Sequence, residues 1–247
     1  SSFQRQIRIP YWNVPAMTVI SNRTRNILRN FAAINNSIVI KPGNQVRTLS
    51  INKNILASAV VGEKFEHQIS IYDLSAFISG VDLFTQTELH PESNYVRLID
   101  TQDSRRQSRF YYADPEIIVQ PPEKDLDLPS VDVEFDLSAQ DYVNLMKAAR
   151  LYKVADACVY GDGNTMQICV TDKKNETSNS YAVEVGKTDK EFCHCFKIEN
   201  LNIIEADYHI EISNSKVAKF TTQDLSYWIA LEPWPLESQG MITCQVF

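Results

Sequence analysis

From Ser21 to Asn35, apolar side chains recur at helical spacing, with Ile20, Ile27, Leu28, Phe31 and Ile34 on one face. Asn22, Arg25, Asn26, Arg29 and Asn30 fall on the opposite face, with Arg23 at its border. The period then shortens. Ser37–Ile40, the turn Lys41-Pro42-Gly43-Asn44 and Val46–Ser50 predict a hairpin, and Ile55–Val61 and Phe65–Ile69 continue the sheet. Ser70-Ile71-Tyr72-Asp73 resembles a capping box and opens a second helix, Ile71–Gly80. Strands at Tyr95–Ile99 and Ser108–Ala113 close this half. A second half follows the same plan. Ser138-Ala139-Gln140-Asp141 resembles another capping box, and its helix runs to about Val154 with Tyr142, Leu145, Ala149 and Tyr152 as the core face. Cys158–Tyr160, the turn Gly161–Asn164 and Met166–Thr171 predict a hairpin. Strands Tyr181–Val185 and Glu191–Lys197, a short helix Ile198–Ile204, and strands Tyr208–Ile212, Val217–Thr221 and Tyr227–Leu231 complete the chain's plan. Each half reads helix, strands, helix, strands, an α+β arrangement.

The halves also match residue by residue. Phe65, His67, Ile69, Ile71 and Leu74 recur 127 positions later as Phe192, His194, Phe196, Ile198 and Leu201, with Phe196 as the apolar counterpart of Ile69. Between the copies lies Ala113–Asp132, which holds four of the ten prolines: Pro115, Pro121, Pro122 and Pro129. Proline fixes φ and lacks an N–H, so this stretch is neither helix nor central strand but an extended surface connector. It nevertheless carries Ile117, Ile118 and Val119 side by side, which a solvated linker does not need. The division expected is an N-terminal extension (1–16), a first domain (17–113), a connector (114–131) and a second domain (132–247). Residues 1–16 fit no element. They read as a mobile leader, or as a tail that docks on its own subunit or a neighbour.

No apolar run reaches the roughly 18 residues that span a membrane, and the start, SSFQRQIRIPYWNVPA, has no apolar signal-peptide core. The five cysteines (Cys158, Cys169, Cys193, Cys195 and Cys244) are odd in number and mostly alternate with apolar residues, so reduced core thiols of a cytosolic protein are expected. A net charge of −7 argues against a generally basic nucleic-acid binder but allows basic residues concentrated on one surface. The first helix offers such a surface, because its polar face has no acid; phosphate contact and ordinary solvation both fit it. On the later helix Lys147, Arg150 and Lys153 lie three residues apart, turned away from the core, with Val143 interrupting the face. Arg105, Arg106 and Arg109 form a further basic patch that reads as a solvated turn.

Catalytic chemistry is hard to place. There is no phosphate-binding Gly-rich loop and no His-Glu-x-x-His, and seven glycines leave little to build the former. Cys193-His194-Cys195 suggests a metal, but on a strand the cysteines point one way and the histidine the other, and no second Cys/His pair lies nearby in sequence. Asp132, Glu134 and Asp136 alternate along an extended segment as a divalent-metal nuclease would want, without an accompanying base or lysine. The four histidines have no evident nucleophile partner. A scaffold without cofactor or metal is expected, not an enzyme.

Several stretches, taken in order, resemble the sliding clamps, or DNA polymerase processivity factors, of T-even-like bacteriophages. They are Ile27-Leu-Arg-Asn-Phe31-Ala-Ala-Ile-Asn35, Ser70-Ile-Tyr-Asp-Leu74-Ser-Ala-Phe77, Tyr112-Ala-Asp-Pro115 with Val119, Pro121 and Lys124, Leu145-Met-Lys147-Ala-Ala-Arg150, and Tyr227–Glu232. The resemblance spans residues 17 to 232. It implies two clamp-type domains per subunit, helices on one face of antiparallel sheets, and three identical subunits closed into a ring. Double-stranded DNA, contacted without sequence preference, would face Arg25, Arg29, Lys147 and Arg150, with Arg23 and Lys153 at the margin. The C-terminal peptide of a polymerase would dock among Ile117, Ile118 and Val119 of the connector, Leu231, Pro233 and Trp234 of the last strand's exit, and Leu49. Subunits would pair edge to edge through Ser108–Ala113 and Ser180–Val185. An ATP-dependent loader and late-transcription factors would be further partners, in the cytoplasm of the infected bacterial host. An oligomeric virion or assembly protein is the competing reading; it accounts for the repeat and the apolar connector but not for the basic helix faces.

Overall fold

The computed structural model describes residues 18–232. The first half contains β1 (Thr18–Val19), α1 (Asn22–Ile34), β2 (Ile38–Ile40), β3 (Gly43–Leu49), β4 (Ile55–Phe65), β5 (Ile69–Ile71), α2 (Leu74–Val81), β6 (Thr87–Pro91), β7 (Tyr95–Asp100) and β8 (Gln107–Tyr111). The second contains β9 (Val133–Leu137), α3 (Ala139–Tyr152), β10 (Asp156–Asp162), β11 (Thr165–Thr171), β12 (Tyr181–Lys187), β13 (Glu191–Lys197), a 3₁₀ turn (Ile198–Leu201), β14 (Tyr208–Ser213), β15 (Val217–Thr222) and β16 (Leu225–Ala230). The predicted repeat is therefore a repeat of topology. Sheet order β1-β6-β7-β8 in the first half is matched by β9-β14-β15-β16 in the second, and the pairs β2-β5 and β3-β4 are matched by β13-β10-β11-β12.

The two halves fuse through one strand pair. β16 runs antiparallel to β4, with Tyr227 opposite Ala57 and Leu225 opposite Ala59, so β3-β4-β16-β15-β14-β9 form one six-stranded sheet. The helices cover the inner faces. Ile27, Leu28 and Phe31 of α1 and Tyr142, Leu145 and Ala149 of α3 enter the same continuous core as the strands. Aromatic rings carry the packing across the junction: Phe31 meets Tyr227 edge-on at 6.4 Å, Tyr227 meets Tyr208 at 6.2 Å, and Tyr208 meets Tyr142 at 6.5 Å. Burial raises the pKa of all three phenols above the ordinary value, so they remain hydrogen-bond donors. Tyr227 donates to Asn30 Oδ1 at 2.6 Å and accepts the Ile204 N–H at 3.2 Å.

Several local expectations change. β2 and β3 are not a hairpin, because β2 pairs with β5 and β3 with β4. Gly43, at φ +121°, supplies backbone that L residues rarely adopt as the chain changes sheets. In the second half β10 and β11 do pair as the predicted hairpin. The second helix begins at Leu74, and its cap is Asp73, whose carboxylate accepts the Ala76 N–H at 3.0 Å. Ser70 instead sits in β5 and donates its hydroxyl to Ala113 O. α3 ends at Tyr152, which is half-exposed instead of in the core. β1 and β6 are additional strands, and β6 carries Pro91 at its end. The connector is irregular apart from one 3₁₀ turn, Pro115–Ile117, capped by Asp114. The reduced-thiol expectation is overturned at Cys158, Cys193 and Cys195, all disulfide-bonded. Cys158 and Cys195 form a disulfide, because the register of β10 and β13 sets them directly opposite each other with Cα atoms 4.1 Å apart. Cys169 is a buried free thiol, and Cys244 lies outside the described residues. No helix among the described residues is long and apolar enough to cross a membrane.

Tyr227→Phe should leave the Asn30 carbonyl and the Ile204 N–H without their partner at the junction. A loss of about 1–3 kcal/mol is expected, read as a lower urea midpoint at unchanged m-value.

Candidate nucleic-acid interface and partner pocket

The helical segments form a continuous layer. α1 and α2 pack together in the first half. Asn30 of α1 donates to Asn202 O at 2.8 Å, just beyond the second half's 3₁₀ turn. Tyr142 of α3 donates to Leu201 O at 2.7 Å and Ile203 O at 3.0 Å. Both long helices start at serine caps: Ser21 Oγ accepts the Thr24 N–H at 3.2 Å and Ser138 Oγ the Asp141 N–H at 3.1 Å. The caps set the rotation of each helix, and with it the residues turned away from the core. On α1 these are Asn22, Arg23, Asn26, Arg29 and Ala33; beside them α2 exposes only Ser75, Ala76 and Ser79. On α3 they are Gln140, Lys147, Arg150, Leu151 and Tyr152, followed by Lys153.

The six basic candidates separate into three situations. Lys147, Arg150 and Lys153 are exposed and have no ion pair or side-chain hydrogen bond among the described residues. Lys153 takes the left-handed conformation (φ 55°) that ends α3. Arg29 is 45% exposed but is held by Asp82 and by Asn26 Oδ1, and Arg23 donates to Val60 O at 2.9 Å. Arg25 is a correction: it is 7% exposed and faces the chain, not solvent. Its guanidinium binds Asp82 at 3.1 Å, Phe84 O at 3.2 Å and Thr85 O at 3.1 Å. The reason is its place on the helix. Aligning α1 and α3 by their serine caps sets Arg25 against Tyr142, and both side chains satisfy carbonyls that follow the neighbouring short helix. That alignment is the sequence signal that separates Arg25 from the other arginines.

The proposed pocket residues also divide. Leu49 is buried with Leu56 and Trp228 in a small cluster on the six-stranded sheet, against which Val119 and Leu128 of the connector pack. Ile118 is buried, whereas Ile117 is 64% exposed. Leu231 belongs to the main core instead of lining a surface. Pro233 and Trp234 lie outside the described residues. The residues that sequence reasoning missed are the ones that tie the connector down. Trp228 Nε1 donates to Leu126 O at 3.0 Å, and Arg47 donates to Pro122 O at 2.6 Å and to Asp125 at 2.9 Å. A cleft of 280 Å³ opens beside them, lined by Val39, Lys41, Pro42, Gln45, Gln120 and Pro121. Arg47 alternates with Val46 and shares the face of β3 with Leu49, but its spacing does not show that the connector lies over that face.

Other candidate chemistry does not assemble. Asp132 turns to Ser130 Oγ at 2.6 Å and the Asn214 N–H at 2.8 Å. Glu134 and Asp136 instead flank His209, at 3.1 and 2.7 Å. The Asp136 carboxylate, and after it Glu134, raises the His209 pKa above its ordinary value, while burial lowers that of His194. Arg105 and Arg106 pair with Asp103 and Asp100, and Arg109 lies over the Tyr95 ring at 4.9 Å.

Residues 134–233 match the family model described as "gp45 sliding clamp, C terminal". The sliding clamp of Vibrio phage KVP40 is 32% identical over 221 residues, covering 86% of this chain and 98% of that protein. The chain belongs to the phage sliding-clamp family. The sliding clamp of Escherichia phage RB69 is 26% identical over 226 residues, covering 86% of this chain and 96% of that one. A crystal structure of PCNA from Thermococcus kodakaraensis superposes with a TM-score of 0.64 over 87% of this chain and 99% of that one at 14% identity, a likeness of fold. The clamp is thus a non-enzymatic DNA-replication factor of α+β clamp fold, and the virion reading has no support.

Two outcomes test this geometry. Arg25→Ala should destabilise the clamp by about 1–3 kcal/mol, because the Phe84 and Thr85 carbonyls lose a buried charged donor while Asp82 keeps Arg29, whereas Lys147→Ala should change stability by less than about 0.5 kcal/mol; urea unfolding separates them. Because the folded His209 pKa is raised, its stabilising contribution is complete below the unfolded value of about 6.5 and is lost as pH rises through the folded one. An NMR titration should place the His209 midpoint above that of an unperturbed histidine, and Asp136→Asn should lower it.

Proposed function

We propose that three copies of this clamp close into a ring around double-stranded DNA, with the helix layer inside and the sheets outside. The observation that carries this reading is the pair of unmatched edges. β8 and β12 stand at the ends of their sheets and are the topological counterparts of β16 and β4, which join the halves within the chain. Pairing β8 of one subunit with β12 of the next repeats that junction between subunits and covers two open edges. The proposed division is an extension (1–16), a first domain (17–113), a connector (114–131) and a second domain (132–247).

Lys147, Arg150 and Lys153 then meet phosphates from the inner wall, with Arg23 and the Asp82-paired Arg29 beside them. Phosphate contacts carry no sequence information, so the ring slides. The partner surface is the connector with Ile117 exposed and the adjoining cleft; a polymerase C-terminal peptide docks there, and late-transcription factors use the same surface. Tethering keeps the polymerase at high local concentration near the primer end. An ATP-dependent loader opens the ring, and the work takes place in the cytoplasm of the infected host.

Light scattering across a dilution series should report a trimer; a dimer at every concentration would sink the ring. The double variant Lys147→Ala/Arg150→Ala should keep its stability and oligomeric state. Products of clamp-dependent synthesis should shorten, and the salt dependence of DNA association should weaken by a slope of about 0.9 for each phosphate no longer neutralised.

A further inference from the structure

Arg109 and Glu184 are the central residues of the two open edge strands, β8 and β12. Alternation fixes the side to which each points. Phe110 of β8 and Tyr181, Val183 and Val185 of β12 pack towards the core, so Arg109 and Glu184 both point to the outer side of their sheets. Neither is satisfied within its own chain. Arg109 stands opposite Arg97 of β7, and Arg97 already pairs with Glu92 at 2.9 Å. Arg109 lies over the Tyr95 ring at 4.9 Å and has no ion pair among the described residues. Glu184 reaches Lys187 at 3.9 Å, with both side chains more than half exposed, a contact of little worth.

We infer that Arg109 of one subunit and Glu184 of the next form an ion pair across the subunit junction, and that this pair selects head-to-tail joining over the joining of like edges. The inference rests on the β8–β12 pairing proposed above.

The register follows from two requirements. Residues directly opposite each other in an antiparallel pair share a face. All five residues of β8 should also lie against β12. With Phe110 kept on the same side as Val183, one solution remains: Phe110 opposite Val183, Tyr111 opposite Ala182 and Arg109 opposite Glu184. The junction within the chain obeys the same face rule, with Tyr227 opposite Ala57 and Trp228 opposite Leu56. Tyr72 and Tyr111, 67% and 63% exposed, line a hollow with Arg109 beside this edge and supply apolar area that the ion pair lacks.

The same two charges act against the alternatives. A two-fold pairing of β8 with itself over its full length sets Arg109 against Arg109, and β12 paired with itself sets Glu184 against Glu184. Like charges directly opposite destabilise a strand pair, and opposite charges stabilise it. Each edge therefore rejects itself and accepts the other, so a heterologous contact able to close a ring is favoured over an isologous dimer.

The test uses the full chain and light scattering across a dilution series. Arg109→Glu and Glu184→Arg each place like charges at every junction, and the combined variant restores opposite ones. Each single variant should raise the concentration at which half of the trimer dissociates by about 10-fold or more at low salt, and the combined variant should return to within about 3-fold of the parent. Arg109→Gln, which removes the attraction without adding repulsion, should fall between the parent and Arg109→Glu. Added salt should narrow these gaps. Both side chains are exposed, so the variants should fold as the parent does, which circular dichroism checks. A trimeric parent whose single variants dissociate as it does, or a combined variant no better than the singles, would overturn the ion pair and leave the ring standing. A parent that forms no trimer at any concentration would overturn the ring, and the pair with it.

Discussion

The pairing of β16 with β4 is the contact on which the rest of the clamp depends. Each half repeats one plan, and neither closes its sheets alone. Joining them makes the six-stranded sheet continuous and sets Tyr227 against the small side chain of Ala57. From there Tyr227 reaches back across the junction to Phe31 and Asn30 of α1. The rotation of α1, and therefore the face it turns outward, is fixed by contacts with the other half as much as by its own.

The same constraint explains how an acidic chain presents a basic surface. The net charge is −7, yet α1 has no acid in its first turn and α3 has only Asp141 there. Asp82, which caps the C-terminus of α2, is occupied by Arg25 and Arg29. In the proposed ring, an inner wall of net positive charge needs only a few unpaired cations, chiefly Lys147, Arg150 and Lys153. The remaining acids can lie elsewhere and make DNA binding on other surfaces unfavourable.

Periodicity made α1, α3, the β10–β11 hairpin and β13 legible, because each buries one face at a regular spacing. The family was legible from motifs in order. Pairing partners were not: Ser37–Ile40 and Val46–Ser50 look like a hairpin, and their counterparts β10 and β11 do form one, but β2 pairs with β5 and β3 with β4. Arg25 was missed by periodicity for a related reason. A charged residue on a polar helix face looks solvated, and its burial comes from carbonyls at Phe84 and Thr85 that are remote in sequence. The thiols are a third case, since Cys158 meets Cys195 only once β10 and β13 are in register.

The connector is where structure and composition pull apart. The halves are already joined by β4 and β16, so the connector is not needed to hold them together. It is nonetheless fixed: Arg47 grips Pro122 and Asp125, Trp228 grips Leu126, and Val119 and Leu128 cover Leu49 and Leu56. A segment ordered by a few contacts on the outer face, with Ile117 left 64% exposed, spends conformational entropy without adding to the core. The cost is offset where a preorganised edge receives a partner, because a flexible one would have to be ordered at the moment of binding. That asymmetry supports the partner surface proposed on the connector and its cleft more than any single apolar residue does. Arg47 and Trp228 are the side chains that hold the connector in that shape.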